Sequence, residues 1–281
     1  MSFSKVAILG PGLLGGSLAL ALRAQAKDIA LYCRRAAAAE ELKSTGIAPV
    51  VTTDPAEAVR GADVVVLCVP IGAMEGLSRQ IQGAVDPSAL ITDVGSVKAP
   101  VVAALEPIFF GRGCWVGSHP MAGSEKAGFS AARADLFEGA TTIVTPTART
   151  KGGAAGRARA FWESVGSRVL EFPPERHDEL VAQISHLPHL LAAVLVASAS
   201  EAGLGMIGNG FRDTTRVASG PADLWTEILL SNRRAVAQAL EELTKVLARA
   251  RGQLKEGDEK GLHELLARAN HIRSQLPPKS R

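Results

Sequence analysis

The stretch Val6-Ala7-Ile8-Leu9-Gly10-Pro11-Gly12-Leu13-Leu14-Gly15 decides how the chain begins to fold. Four apolar residues read as a buried strand. The glycines then fall in a GxGxxG pattern, and an Ala/Leu-rich run over residues 13–24 reads as a helix. The first glycine permits a tight turn, the second lets a pyrophosphate approach the backbone, and the third lets helix and strand pack closely. The helix N-terminus offers unpaired N–H groups and the positive end of its dipole to phosphate. In a strand–loop–helix context the motif predicts a dinucleotide site.

Working outward, strand-like runs recur at residues 29–32, 64–69, 89–94, from 116, at 141–144 and at 168–172. A short helix over residues 54–60 has Asp54 as N-cap and Pro55 at its first position. Another helix is read around residues 154–165. Strands alternating with helices predict an α/β domain of Rossmann type, with a mostly parallel sheet covered on both faces. Pro173-Pro174 ends that texture. Beyond it the chain reads as helix over residues 178–202, 224–252 and 256–276. The expectation is a dinucleotide-binding domain at residues 1–174 and an all-α substrate and dimerisation domain at residues 175–281. Long apolar helices in so short a domain need a partner surface, so a homodimer through the C-terminal helices is expected.

Composition narrows the function classes. With 281 residues the chain is long enough for two domains, and 47% hydrophobic residues provide a substantial core. A net charge of +3 with no basic stripe argues against nucleic acid. The N-terminus runs straight into the first strand without a signal-peptide layout, and the apolar run 190–199 is too short to span a bilayer. A soluble cytoplasmic protein with no membrane partner is expected. Cys33, Cys68 and Cys114 lie far apart with no ligand spacing, so no metal site and no disulfide framework are predicted.

The end of the second strand bears on the cofactor. An Asp or Glu there would bond the ribose 2′-hydroxyl of NAD. The chain has Tyr32-Cys33-Arg34-Arg35 instead, and guanidinium groups suit a 2′-phosphate. NADP is therefore favoured, with NAD possible. The cofactor-binding set is Gly10, Gly12, Leu13, Leu14, Gly15, Arg34, Arg35 and Val69. Arg34 and Arg35 could also be a solvated helix start.

Further segments are more specific. They are Asp93-Val94-Gly95-Ser96-Val97-Lys98, Gly117-Ser118-His119-Pro120-Met121-Ala122-Gly123-Ser124-Glu125, His177-Asp178, Ser185-His186-Leu187-Pro188-His189, Gly210-Phe211-Arg212-Asp213-Thr214-Thr215-Arg216, and Asp223-Leu224-Trp225. In this order they closely resemble the prephenate/arogenate (cyclohexadienyl) dehydrogenase family, from the glycine loop to about residue 250. The resemblance implies oxidative decarboxylation of prephenate to 4-hydroxyphenylpyruvate in tyrosine biosynthesis, or the same chemistry on arogenate. The family's substrate is a cyclohexadiene whose hydroxyl-bearing carbon loses hydride, after which loss of CO2 restores aromaticity.

That chemistry assigns roles to the motif residues. His119 is the candidate proton acceptor for the substrate hydroxyl. Ser96 resembles the family serine near the same hydroxyl, and could equally cap a helix starting near Val97. Arg216 is the candidate carboxylate binder, and His189 a substrate-side residue. Ser124 and Glu125 fall at the pocket edge, and Trp225 could line the pocket or sit in a core. His186 reads as a supporting hydrogen-bonder, and Asp178 as a cap for its own helix. β-Hydroxyacid dehydrogenases share this architecture but place a catalytic Lys on the first helix of the second domain. Residues 177–202 contain none.

Overall fold

The protein is described by a computed structural model covering residues 3–25, 27–123 and 126–276. The N-terminal half runs β1 (Lys5–Leu9), α1 (Leu13–Arg23), β2 (Asp28–Tyr32), α2 (Ala36–Ser44), β3 (Val50–Thr52), α3 (Pro55–Val59), β4 (Val64–Leu67), α4 (Ile71–Ile81), β5 (Leu90–Asp93), α5 (Ala99–Phe109) and β6 (Cys114–Trp115). These six strands form one parallel sheet in the order β3-β2-β1-β4-β5-β6. Sheets covered on both faces need strands apolar throughout, and β4, all Val and Leu, is completely buried. α1 and α2 cover one face, and α3, α4 and α5 the other. Asp54 caps α3 as expected, its side chain accepting from Ala56 N at 2.9 Å with Pro55 first in the helix.

The strands after residue 116 do not continue that sheet. β7 (Gly117–Pro120) pairs antiparallel with β8 (Thr141–Thr145), which pairs parallel with β9 (Arg168–Glu171) in a separate three-stranded sheet. The chain leaves the first sheet because Ser118 N donates to the Asp93 carboxylate at 3.0 Å rather than to a ladder carbonyl. α6 (Ala154–Ser164) lies between β8 and β9 in sequence and packs Phe161 and Trp162 into the same core as α1.

The helical part runs α7 (Pro174–Val181), α8 (Leu187–Ser198), α9 (Glu201–Leu204), α10 (Asn209–Thr215), α11 (Ala222–Ser231), α12 (Arg233–Glu256) and α13 (Glu259–Ser274). α7 and α8 join through a π-helical turn, Ala182–His186, into one helix Pro174–Ser198. Pro188 explains the turn: its ring lacks an N–H and crowds the carbonyl four residues back, and one wide turn relieves both. This helix has 25 residues, and an 18-residue stretch of it has a mean hydropathy of 1.7, long and apolar enough to cross a membrane by length and composition, unlike the shorter run counted in the sequence. Of its polar residues, His177, Asp178, His186 and His189 are buried, and Asp178 accepts from Lys98 N and Ala99 N at 2.7 and 2.9 Å, while Glu175, Arg176, Glu179 and Gln183 are exposed.

Two expectations are corrected here. Residues 224–252 form two helices, not one, because the chain breaks at Asn232 (φ −110°, ψ 24°). The buried Asn232 amide donates to Asp178 O at 2.8 Å and faces His186 Nδ1 at 3.1 Å, so tertiary bonding sets the break where no Gly or Pro does. Asp178 caps α5 across the domains, not its own helix. Val194, Leu195, Val246, Leu247, Leu254 and Leu266 remain exposed on the long helices.

Candidate active site

A mostly apolar cavity of about 620 Å³ opens between the carboxyl edge of the large sheet and the helical part. The sheet side supplies Gly12, Leu13, Leu14, Val69, Ser96 and His119, and the helices supply His186, His189, Arg216 and Trp225. Segments more than 200 residues apart in sequence thus meet at one site, where ligands bind in open α/β folds.

The glycine loop fits a dinucleotide. Gly10 has φ +102°, and a Cβ there would stand 2.6 Å from Cys68 O. A Cβ on Gly15 would stand 2.4 Å from Gly10 O, so these two glycines serve the close packing of strand and helix. Gly12 has open space around it, with nothing within 4 Å of an added Cβ. That is the position where a pyrophosphate approaches the backbone. The N-terminus of α1 has no side-chain cap and no acidic residue in its first turn, so its amides are available to an anion. Arg34 and Arg35 are exposed beside the end of β2, away from the cavity wall, and Arg35 is the residue before α2. Ser124 and Glu125 lie outside the described residues.

The hydrogen-bond network assigns the imidazole tautomers. The Asp178 carboxylate accepts backbone N–H groups and lies 2.8 Å from His177 Nδ1, so His177 donates through Nδ1. A neutral His177 then accepts at Nε2, which lies 2.9 Å from His119 Nδ1. His119 must donate through Nδ1, leaving its Nε2 with a free lone pair. Both rings are held neutral. Burial pushes the His119 pKa well below the imidazole range, aided by neighbouring His177, Lys98 and His186. Burial likewise lowers His177, against the opposing pull of Asp178. The result is a buried base in its proton-accepting form.

The helical wall is ordered in a similar way. Asn232 donates to His186 Nδ1, so His186 carries its proton on Nε2, and burial lowers its pKa to about 4. His189 stacks on Trp225, with ring centroids 3.4 Å apart and planes 11° apart. Gly220 permits this stack, since a Cβ there would stand 2.6 Å from Trp225 Nε1. Ser96 lies on the cavity wall, while the residue preceding α5 is Lys98, so Ser96 is not that helix's cap. Arg216 enters the wall at the start of a 3₁₀ turn, Arg216–Ser219.

Comparison with known proteins gives this arrangement its context. Residues 18–171 match the family described as prephenate dehydrogenase, nucleotide-binding domain, and residues 173–268 match prephenate dehydrogenase, dimerization domain. This chain belongs to the prephenate dehydrogenase family. It is therefore an oxidoreductase that uses a nicotinamide cofactor. It is 34% identical over 258 residues to the cyclohexadienyl dehydrogenase of Zymomonas mobilis, covering 89% of this chain and 88% of the relative. It is 31% identical to the prephenate dehydrogenase of Bacillus subtilis, covering 97% of this chain and 76% of that one. The crystal structure of prephenate dehydrogenase from Aquifex aeolicus in complex with hydroxyphenyl propionate and NAD+ superposes with a TM-score of 0.91 at 30% identity, covering 99% of both chains.

Some features of this family member were not foreseen from its sequence. His177 as the partner of His119, Asn232, and the buried Asp93–Lys98 pair emerge only in three dimensions. The motifs Asp93–Lys98 and His177-Asp178 flagged their segments, but nothing local marked Asn232.

Proposed function

We propose that this chain oxidatively decarboxylates prephenate to 4-hydroxyphenylpyruvate, with NADP as its preferred hydride acceptor and a homodimer formed through the exposed C-terminal helices. The observation that carries the reading is the free Nε2 lone pair of a neutral His119 in an apolar cavity beside the glycine loop. Gly12 and the amides of α1 would hold the pyrophosphate, and Arg34 and Arg35 the 2′-phosphate. A bound nicotinamide supplies the hydride acceptor.

The chain's own groups do the rest. His119 Nε2 takes the proton of the ring hydroxyl as that carbon gives up its hydride and becomes a carbonyl. The bond to the ring carboxylate then breaks, its electron pair moves through the ring to the carbonyl oxygen, CO2 leaves, and that oxygen takes the proton back from His119 to give an aromatic phenol. His177, fixed by Asp178, shares the positive charge that His119 gains. Arg216 holds a substrate carboxylate, Ser96 bonds near the reacting hydroxyl, and the His189–Trp225 stack shapes the wall. The apolar walls limit water, which strengthens these interactions.

The test is turnover of prephenate or arogenate with NAD or NADP, followed by absorbance of the reduced nicotinamide. Rapid reduction with prephenate and NADP is expected. Replacing His119→Asn should lower kcat by about 10²–10⁴-fold with cofactor affinity unchanged. Undiminished turnover in that variant would refute the base assignment, and preference for arogenate would move the substrate to the amino form.

A further inference from the structure

Asp93 and Lys98 are both fully buried, in a region where neither side chain reaches the cavity. Burying two charges is costly and is offset only by their attraction and by bonds to the remaining polar atoms. Here those bonds all go to the segments that carry the site. One Asp93 oxygen accepts from Gly95 N at 2.8 Å, next to Ser96. The other accepts from Ser118 N at 3.0 Å, next to His119. Lys98 Nζ bonds Asp93 and donates to Ser118 O at 2.9 Å, while Lys98 N donates to the Asp178 carboxylate that fixes His177. Gly95 leaves room for the pair, since a Cβ there would stand 2.9 Å from Asp93 Oδ2 and 3.3 Å from Lys98 Nζ.

We propose that the buried Asp93–Lys98 ion pair is the positioning element of this site, tying the loop of Ser96 to the strand of His119 and setting a fixed positive charge behind the His119–His177 pair. The inference rests on His119 being the base. The titratable and charged groups that face the two rings are His177, Lys98 and His186 for His119, and Lys98, Asp178 and Asp93 for His177. Lys98 is the fixed cation in that set, and its field disfavours a second positive charge on either ring. It thereby keeps His119 ready to accept a proton at lower pH. Asp93 keeps the ammonium charged against the effect of burial, which lowers the Lys98 pKa.

The experiment compares Lys98→Met, which keeps the length and removes the charge, with Asp93→Asn/Lys98→Met, which leaves no unpaired buried charge. Thermal melting, cofactor affinity, kcat against pH, and the His119 ring titration by ¹⁵N NMR are measured on each. We expect cofactor affinity to hold, kcat to fall about tenfold or more from misplacement of the base, and both the acid limb and the ring titration to move to higher pH. A folded variant whose kcat, acid limb and His119 titration stay at wild type overturns the proposal. So does failure of both variants to fold, since the pair would then be a requirement of the core. The ring titration does not depend on turnover. If His119 proves not to be the base, it still reads the effect of Lys98 on the ring, and the two failures are told apart.

Discussion

A neutral histidine that must accept a proton needs one nitrogen occupied and the other free, and the His119–His177–Asp178 chain provides this with an acceptor-only carboxylate at its far end. The residue types that touch substrate in this reading were legible because each sits in a compact local motif. Their supports were not. Asp178 bonds a backbone amide 80 residues away, and Asn232 a carbonyl 54 residues away, and neither separation leaves a local trace. Two arginines just past β2 present the opposite case, legible in the sequence yet with side chains that make no hydrogen bond or ion pair among the described residues. Replacing Arg34→Ala/Arg35→Ala should raise the KM for NADP about tenfold or more and leave the KM for NAD nearly unchanged. Steady-state kinetics with each cofactor check this, and equal losses with both would remove the two residues from the 2′-phosphate site.

Among elements, the glycine loop divides its labour in a way that substitution can separate. Gly12→Ala meets open space, so the melting temperature should stay near wild type while cofactor affinity falls. Gly15→Ala drives a methyl into the Gly10 carbonyl and should cost about 1–3 kcal/mol of stability. Paired melting and cofactor titration decide whether the roles divide so. The strands themselves followed from hydrophobic pattern and the parallel arrangement from alternation with helices. The pattern could not say which edge a strand joins. The run from residue 116 reads as one more strand, but Ser118 N bonds the Asp93 carboxylate and β7 pairs with β8 in a separate sheet. The break between α11 and α12 is of the same kind, a buried amide overruling good helix formers on both sides.

For the whole molecule, burying four histidines at the seam between the domains ties stability to pH. His119, His177, His186 and His189 all have folded pKa values below the ordinary 6.5. The unfolded chain therefore takes up protons first as pH falls. The stability of the native state is complete above pH 6.5 and is lost progressively below it, with His186 alone contributing on the order of 3 kcal/mol down to pH 4. Melting temperatures measured from pH 7.5 to 4.5 should fall steadily, and a flat profile would contradict neutral burial. The stacked pair at this seam also gives the molecule an optical property. Trp115 and Trp162 are buried in the Rossmann core and do not line the cavity. Trp225 alone among the three borders the cavity, lying flat against an imidazole. Any ligand that presses on the stack or alters the charge of His189 changes how that one indole relaxes after excitation. The protein thus carries its own fluorescent gauge of occupancy, at the wall where the substrate arrives.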